Sequence, residues 1–247
     1  MAIETQEHLL RARLIGDDTL TISRNGNHQY WTAEGIKVSS VTTLATHVDE
    51  GSFGAAMGWT LNQIKDNGGD LGAPNRVSKQ ALEDGNQLHA AIDAYIKDGT
   101  ITEGNPLFIA WLHEMGEKHD WLASEQFVYH QEARFGGTLD AISRDKKYPH
   151  KDDSISSMVW DWKTVDEKSW AKHGSTFRHA KDSAQLAAYA YALRHMGSIY
   201  VPTSGCIAYI MRDASAVVVE PVDLEWGWQL FQASCTIHNL RARPAKG

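Results

Sequence analysis

Val159-Trp160-Asp161-Trp162-Lys163-Thr164 is the stretch whose reading decides the fold. Residues two apart on a strand share a face, so Asp161 and Lys163 project one way and Trp160 and Trp162 the other. An acid and a lysine side by side on a rigid strand are costly to hold unless they bind something. Upstream, Phe135-Gly136-Gly137-Thr138-Leu139-Asp140 brings a second acid to the end of its own segment. Downstream, Gln185 and Tyr189 stand one helical turn apart.

Working outward, the period on both sides of this stretch is two. Residues 124–131 read as a strand with Glu125, Phe127 and Tyr129 on one side. After a turn at Glu132-Ala133-Arg134, residues 135–143 read as its antiparallel partner, and 157–164 as a third strand beyond a polar loop. Residues 166–178 form a polar, partly basic connector. Residues 181–196 make an alanine-rich helix with Leu186, Ala190 and Leu193 inward. Two more strands follow at 206–211 and 216–222, and Asp223 caps a last helix carrying Trp228, Phe231, Cys235 and His238.

Toward the N-terminus, Asn25-Gly26 interrupts the alternation of residues 19–31 and marks an antiparallel hairpin. Ser39 or Ser40 caps a short helix through Leu44. A helix over 55–64 ends at Asn67-Gly68-Gly69-Asp70. Another over 78–97 repeats Leu82, Leu88, Ile92, Tyr95 and Ile96 at helical spacing, with His89 at the edge of the stripe. Asn105-Pro106 starts a helix whose buried face is Phe108, Trp111, Leu112 and Met115. This order predicts an α/β (α+β) chain with a central mixed β-sheet flanked by helices. Residues 1–75 form an N-terminal hairpin and helical elaboration and 76–247 the core, within one compact domain.

Composition narrows the function. The formal net charge of −7 is not that of a nucleic-acid binder as a whole. Acids crowd residues 81–140, and Arg144, Lys146, Lys147, Lys151, Lys163, Lys168, Lys172, Arg178 and Lys181 follow. A basic face beside an acidic pocket can take a polyanion locally, and it can equally be solvated surface. Two distant cysteines, Cys206 and Cys235, exclude a zinc ribbon or four-cysteine cluster. No apolar run spans a bilayer, so no membrane role is expected. The first residues lack a basic segment followed by an apolar one, so a reducing cytoplasm is the expected compartment.

The constellation suits phosphodiester hydrolysis, in which phosphoryl charge must be neutralised and a water activated. Magnesium needs few carboxylates, and Asp140 and Asp161 are the candidate ligands, with the backbone carbonyl of Trp162 between the acid and the lysine. Lys163 is placed to polarise the water or hold a phosphate oxygen. Trp59, Trp111, Trp121 and Trp170 are candidates for stacking on unpaired bases.

Gly136-Gly137-Thr138-Leu139-Asp140, Asp161-Trp162-Lys163, Gln185 and Tyr189 together resemble the PD-(D/E)XK nuclease superfamily. The resemblance is to its RecB-like exonuclease branch, which includes the CRISPR-adaptation exonucleases and the mitochondrial genome maintenance exonuclease. Its motifs run from His89 to Tyr189, under half of the chain. Ser39-Ser40-Val41-Thr42-Thr43 is similar to an element of phage-encoded members. The resemblance implies a restriction-endonuclease-like core. His89, in Gly85-Asn86-Gln87-Leu88-His89, becomes a further metal ligand, and Glu125 a catalytic residue supporting the metal site. Gln185 and Tyr189 contact nucleic acid or brace the active-site helix, with Lys181 and Arg178 as further DNA-contact candidates.

Leu139 replaces the proline of the superfamily name, and the cysteines of iron–sulfur members are missing, so no iron–sulfur cluster is expected. No phosphate-binding G-x-x-x-x-G-K-[ST] occurs, so ATP-driven unwinding would need a partner. The implied activity is an Mg²⁺-dependent exonuclease, Mn²⁺ substituting, acting on single-stranded or duplex DNA ends in recombination, repair or phage DNA metabolism. Its implied partners are a single-strand annealing protein or a helicase, and its place is the host-cell cytoplasm if phage-encoded. The alternatives are a structure-specific endonuclease of the same fold and a non-catalytic DNA-end-binding recombination partner.

Overall fold

The computed structural model describes residues 10–14, 17–24, 29–32, 35–48, 52–145, 155–177 and 179–241. The elements run β1 (Leu10–Leu14), β2 (Asp17–Arg24), β3 (Tyr30–Thr32), β4 (Lys37–Ser40), α1 (Val41–Ala45), α2 (Ser52–Asp66) and α3 (Ala73–Asp98). Then come α4 (Pro106–Trp111), β5 (Trp121–His130), β6 (Phe135–Arg144), β7 (Ile155–Val165), α5 (Glu167–His173) and α6 (His179–His195). β8 (Tyr200–Met211), β9 (Val217–Val222) and α7 (Leu224–Arg241) complete the series.

The described strands make one mixed sheet. β5 and β6 pair antiparallel from His130↔Phe135 to Trp121↔Ser143. β7 is antiparallel to β6 but parallel to β8, from Ile155↔Tyr200 to Val165↔Met211. β9 closes that edge antiparallel to β8. At the other end β4 lies parallel to β6 and carries β3, β2 and β1 outward. Helices cover both faces, which is the α/β arrangement the element order predicts and is consistent with a restriction-endonuclease-like core.

The two faces are packed differently. On one, Val159, Leu139, Ile207 and Tyr209 meet Leu186, Ala187, Ala190 and Phe231 of α6 and α7. The alanines of α6 let it lie close to the sheet, and Gly227 lets α7 lie close to α6. A Cβ at 227 would stand 2.5 Å from the Ser183 carbonyl oxygen. Ser234 Oγ donates to the Leu44 carbonyl and ties α7 to α1. On the other face, Trp160 and Trp162 pack with Leu88, Ile92, Phe108 and Trp111. Their rings stack at 5.6 Å, and Trp111 and Trp121 meet them edge-on. Each such pair contributes about 0.5–1.5 kcal/mol beyond its buried area. The tryptophans thus clamp β7 from one side and leave Asp161 and Lys163 on the other.

Several elements differ from the sequence expectations. β1 and β4 are strands the periodicity did not mark, because four or five residues show no period, and β4 owes part of its pairing to the distant β6. Ser40 is the cap of α1, its Oγ accepting from the Thr43 N–H at 3.1 Å. α3 starts at Ala73, with Pro74 in its first turn, ahead of the apolar stripe. The 166–178 connector holds α5, capped by Asp166, whose Oδ1 accepts from Ser169 N–H at 2.9 Å. β2 and β3 pair antiparallel as the hairpin expectation requires. Asn25-Gly26, the loop over 146–154 and Arg178 lie outside the described residues.

Candidate active site

β6 has β5 along one edge. Its other edge is shared, with β4 beside Phe135 and Gly136 and β7 beside residues 141–144. Among the described residues no strand pairs with that edge from Gly137 to Asp140. β7 therefore parts from β6 immediately after Trp160, and the next backbone groups need other partners. Trp162 N–H finds one in the Asp140 carboxylate, 2.8 Å away at Oδ2. The opening is a cleft of about 1370 Å³, lined by His89, Glu125, Asp140, Asp161, Lys163 and Gln185 among others.

Asp161 is wholly buried. Lys163 Nζ lies 2.6 Å from its Oδ2, and Gln185 Nε2 donates to its Oδ1 at 3.1 Å. The same Nε2 is 3.2 Å from the Tyr189 hydroxyl oxygen. Burial pushes the Asp161 carboxyl up to about 6 against the pull of the Lys163 ammonium, and Asp140 adds to the rise. Burial alone would favour neutral Lys163, but Asp161, Asp182 and Asp140 outweigh it and hold the ammonium charged. Burial, with the Asp161 and Asp140 charges, likewise keeps the Tyr189 phenol protonated.

Gly137 explains how Tyr189 comes so near the strand. A Cβ there would stand 2.5 Å from Tyr189 Cε1 and 3.1 Å from Val41 Cγ2. The ring lies on bare backbone, and any side chain at 137 would displace it, and Gln185 with it.

Glu125 sits across from Asp140, between the pairs Gln126↔Leu139 and Ser124↔Ala141. Its φ is +49°, a left-handed backbone that costs a residue with a Cβ roughly 1–2 kcal/mol. Such strain in the middle of a strand persists where a site demands it. His89 reaches the same point from α3. Its Nδ1 is 3.6 Å from Asp140 Oδ1 and 3.9 Å from Glu125 Oε1, and its Nε2 is 3.3 Å from the Trp162 carbonyl oxygen. One ligand atom from each of His89, Glu125 and Asp140 lies within 4.8 Å of the others.

Burial opposes charge on His89, but the Asp140 and Glu125 carboxylates prevail and push it up to about 9. Burial also raises Asp140, while His89 and Lys163 pull it down. Carboxylates crowded and desolvated in this way are what a cation relieves, and an imidazole with oxygen donors suits a divalent one.

The structure thus gathers the predicted residues into one cleft but not into one cluster. Asp161 stands beside the His89–Glu125–Asp140 group with its oxygens engaged by Gln185 and Lys163. Gln185 and Tyr189 are buried, and the Gln185 amide donates both to Asp161 and to the Tyr189 hydroxyl oxygen. Lys181 lines the cleft. Asp182 was not singled out from the sequence. It is buried, lines the cleft and accepts from Tyr209 Oη at 3.4 Å. Its spacing to Gln185 and Tyr189, three and seven residues, places it on their helical face and was readable. The 3.1 Å contact between Tyr30 Oη and Thr138 Oγ1 had no such signal, since it joins residues far apart in the chain.

Residues 44–225 match the family described as the PD-(D/E)XK nuclease superfamily, well over half of the chain. The chain belongs to that superfamily. His89, Glu125 and Asp140 offer a group of ligand atoms that could hold a metal ion. No curated protein matches this nuclease. Among solved structures it is similar to one titled "Crystal structure of SSO0001", at 15% identity and a TM-score of 0.28. That likeness covers 53% of this chain and 55% of the other, so the nuclease spans about half of that chain's length. Among the described residues no helix is long and apolar enough to cross a membrane.

Proposed function

We propose that this nuclease is a magnesium-dependent exodeoxyribonuclease, manganese substituting, that shortens DNA from an end in recombination, repair or phage DNA metabolism. The observation that carries the reading is the meeting of His89, Glu125 and Asp140 with the Lys163–Asp161 pair in one cleft. His89, Glu125 and Asp140 would hold the cation, with Asp161 and the Trp162 carbonyl completing an oxygen-rich set. When bound, the cation supplies positive charge for the phosphoryl oxygens and a water of lowered pKa. Lys163, kept charged by three carboxylates, orients the attacking water or grips a phosphate oxygen. Asp161 fixes Lys163, Gln185 fixes Asp161, and the Trp162 N–H fixes Asp140.

Support for end-directed cleavage is the helical His89 in Gly85-Asn86-Gln87-Leu88-His89, through which the chain resembles RecB-like exonucleases. A helicase or single-strand annealing partner would suit an enzyme that needs an exposed end. The test incubates end-labelled single- and double-stranded DNA, and a covalently closed single-stranded circle, with magnesium, manganese or chelator. Shortening of the linear strands only with cation, and an intact circle, is the expected result. A cut circle would make the enzyme an endonuclease. Retention of DNA without turnover in either metal would make it an end-binding module.

A further inference from the structure

A second cavity, of about 780 Å³, adjoins the catalytic cleft, and Ala81 and Thr164 line both. Thr164 directly follows Lys163, so the two spaces adjoin beside that lysine. Its volume falls in the range of about 300–1,000 Å³ usual for ligand sites. One wall is α2 with Trp59, and the other is α5 with Lys168 and Lys172.

The lining is cationic in a chain of net charge −7. Lys168, Lys172 and Arg212 contribute to it, and Asp166 is the one acid among the described lining residues. Asp166 is occupied with capping α5, and it stands 4.0 Å from Arg212 Nη2. Arg212 Nε is sealed from solvent with no hydrogen-bond partner. Arg212, half-buried and already near Asp166, adds its charge to that of the two exposed lysines, and a face of this sign attracts phosphate oxygens.

The same cavity sorts the tryptophans. Trp111 is fully buried in the core, and Trp121 packs against Trp111, Trp160 and Trp162. Trp170 is half-buried and leans on Tyr209 at 4.8 Å. Trp59 alone of these four is an exposed large apolar side chain, at 36%. An exposed indole and cationic side chains lining one cavity match a nucleotide's base and phosphate. Only an unpaired base offers its face to such a ring.

We propose that this cavity is a subsite for a single DNA strand continuing past the cleavage cleft, its phosphates on Lys168, Lys172 and Arg212 and a base on Trp59. The proposal rests on the nuclease reading above and narrows its substrate to a single-stranded or frayed end. The strand is held on both sides of Thr164, so cleavage of long substrates depends on a site that a minimal phosphodiester never reaches.

The test measures fluorescence anisotropy of labelled (dT)12 and of a blunt 12-base-pair duplex, with calcium in place of magnesium. It compares the full-length parent with Trp59→Ala and with Lys168→Ala/Lys172→Ala. All three side chains are exposed, so the fold is not at issue. Trp59→Ala is expected to weaken (dT)12 binding about tenfold and leave the duplex unchanged. The double lysine variant should lower the slope of log affinity against log salt by about 1.4, at about 0.7 per lost single-strand phosphate contact. Hydrolysis of bis(p-nitrophenyl) phosphate in manganese should be the same in all three proteins. Unchanged (dT)12 affinity, or equal losses on strand and duplex, would overturn the subsite while the aryl diester still turns over. A parent inert toward the aryl diester would instead overturn the nuclease reading, with the anisotropy series still deciding the subsite.

Discussion

The two acids of this site live under different regimes. Asp161 is fully buried, with one oxygen on an amide and the other on an ammonium. Asp140 sits at the mouth of the strand fork, one oxygen on the Trp162 N–H and the other facing His89 and the strained Glu125. Helix α6 and Gly137 build the first environment from close-packed protein, so its geometry is set in advance. The second is a gathering of ligand atoms in which the protein supplies strain and charge rather than closure. A site divided this way fixes its lysine in advance and leaves a cluster of ligand atoms that a cation could fill.

The sharpest way to break that division is Asp161→Asn. It keeps the shape and the Gln185 contact but removes the charge that anchors Lys163. Cleavage of end-labelled DNA in magnesium, under single turnover, is expected to fall about 10²–10³-fold. Far-ultraviolet circular dichroism should stay that of the parent. Cleavage at the parental rate would show that the braced half is structural only.

Gln185→Leu probes the same half one step out. It leaves both acids and the lysine in place but removes the amide that orients Asp161. Supporting groups of this kind are worth about 10–100-fold in metal affinity or activity. The expected fall in rate is in that range, with a rightward shift of the magnesium dependence. An unaltered magnesium titration and rate would mean that Asp161 is held by Lys163 alone.

The open half is tested through its backbone. Glu125→Gly and Glu125→Ala delete the same carboxylate but differ in how they meet a φ of +49°. Glycine in a strand interior is ordinarily less stable than alanine by roughly 0.5–1 kcal/mol. Here the relief of roughly 1–2 kcal/mol of left-handed strain should reverse the order, with Glu125→Gly the more stable by about 1 kcal/mol. Urea denaturation of the two variants side by side reads this directly. The usual order would show that the strand relaxes without strain and that nothing is stored opposite Asp140.

The two halves were also unequally legible in the sequence. Alternation along residues 157–164 placed Asp161 and Lys163 together and sent the tryptophans to the other face, because a strand's period is a local property. Helical spacing put Gln185 under Tyr189 for the same reason. The fork itself was not legible. It depends on β4, a four-residue strand without a period, pairing with one end of β6 while β7 takes the other. Nor did the residues announce that Glu125 would turn left-handed, since glutamate carries no preference for that region. The sequence reading named Asp140 and Asp161 as ligands, with His89 as a further one and Glu125 in support, and the ligand atoms of His89, Glu125 and Asp140 lie within 4.8 Å of one another. α5 had its signal in Asp166, a capping residue whose helix lacked an apolar stripe to mark it.

The smallest expected effect extends the comparison to a histidine outside the cleft, shifted opposite to His89. His130 stacks on His195 at 4.0 Å and on Trp228 at 5.7 Å, and its Nδ1 accepts from the Ala133 N–H at 3.3 Å. Burial, then repulsion from His195, pushes His130 down to about 4, with Glu132 opposing. The unfolded chain, with an ordinary value near 6.5, therefore takes up its proton first as the pH falls. The contribution to stability is complete above pH 6.5 and is lost between there and about 4. For a ring that is only half-buried, screening leaves about 1 kcal/mol, or roughly 2–4 °C in Tm for a chain of this size. His130→Phe keeps a flat ring in the stack and removes the titration. Its Tm should fall less than the parent's between pH 7 and 4.5, by that margin. Parallel curves would mean that His130 titrates alike in the folded and unfolded chain, and that raised His89 has no lowered counterpart in this fold.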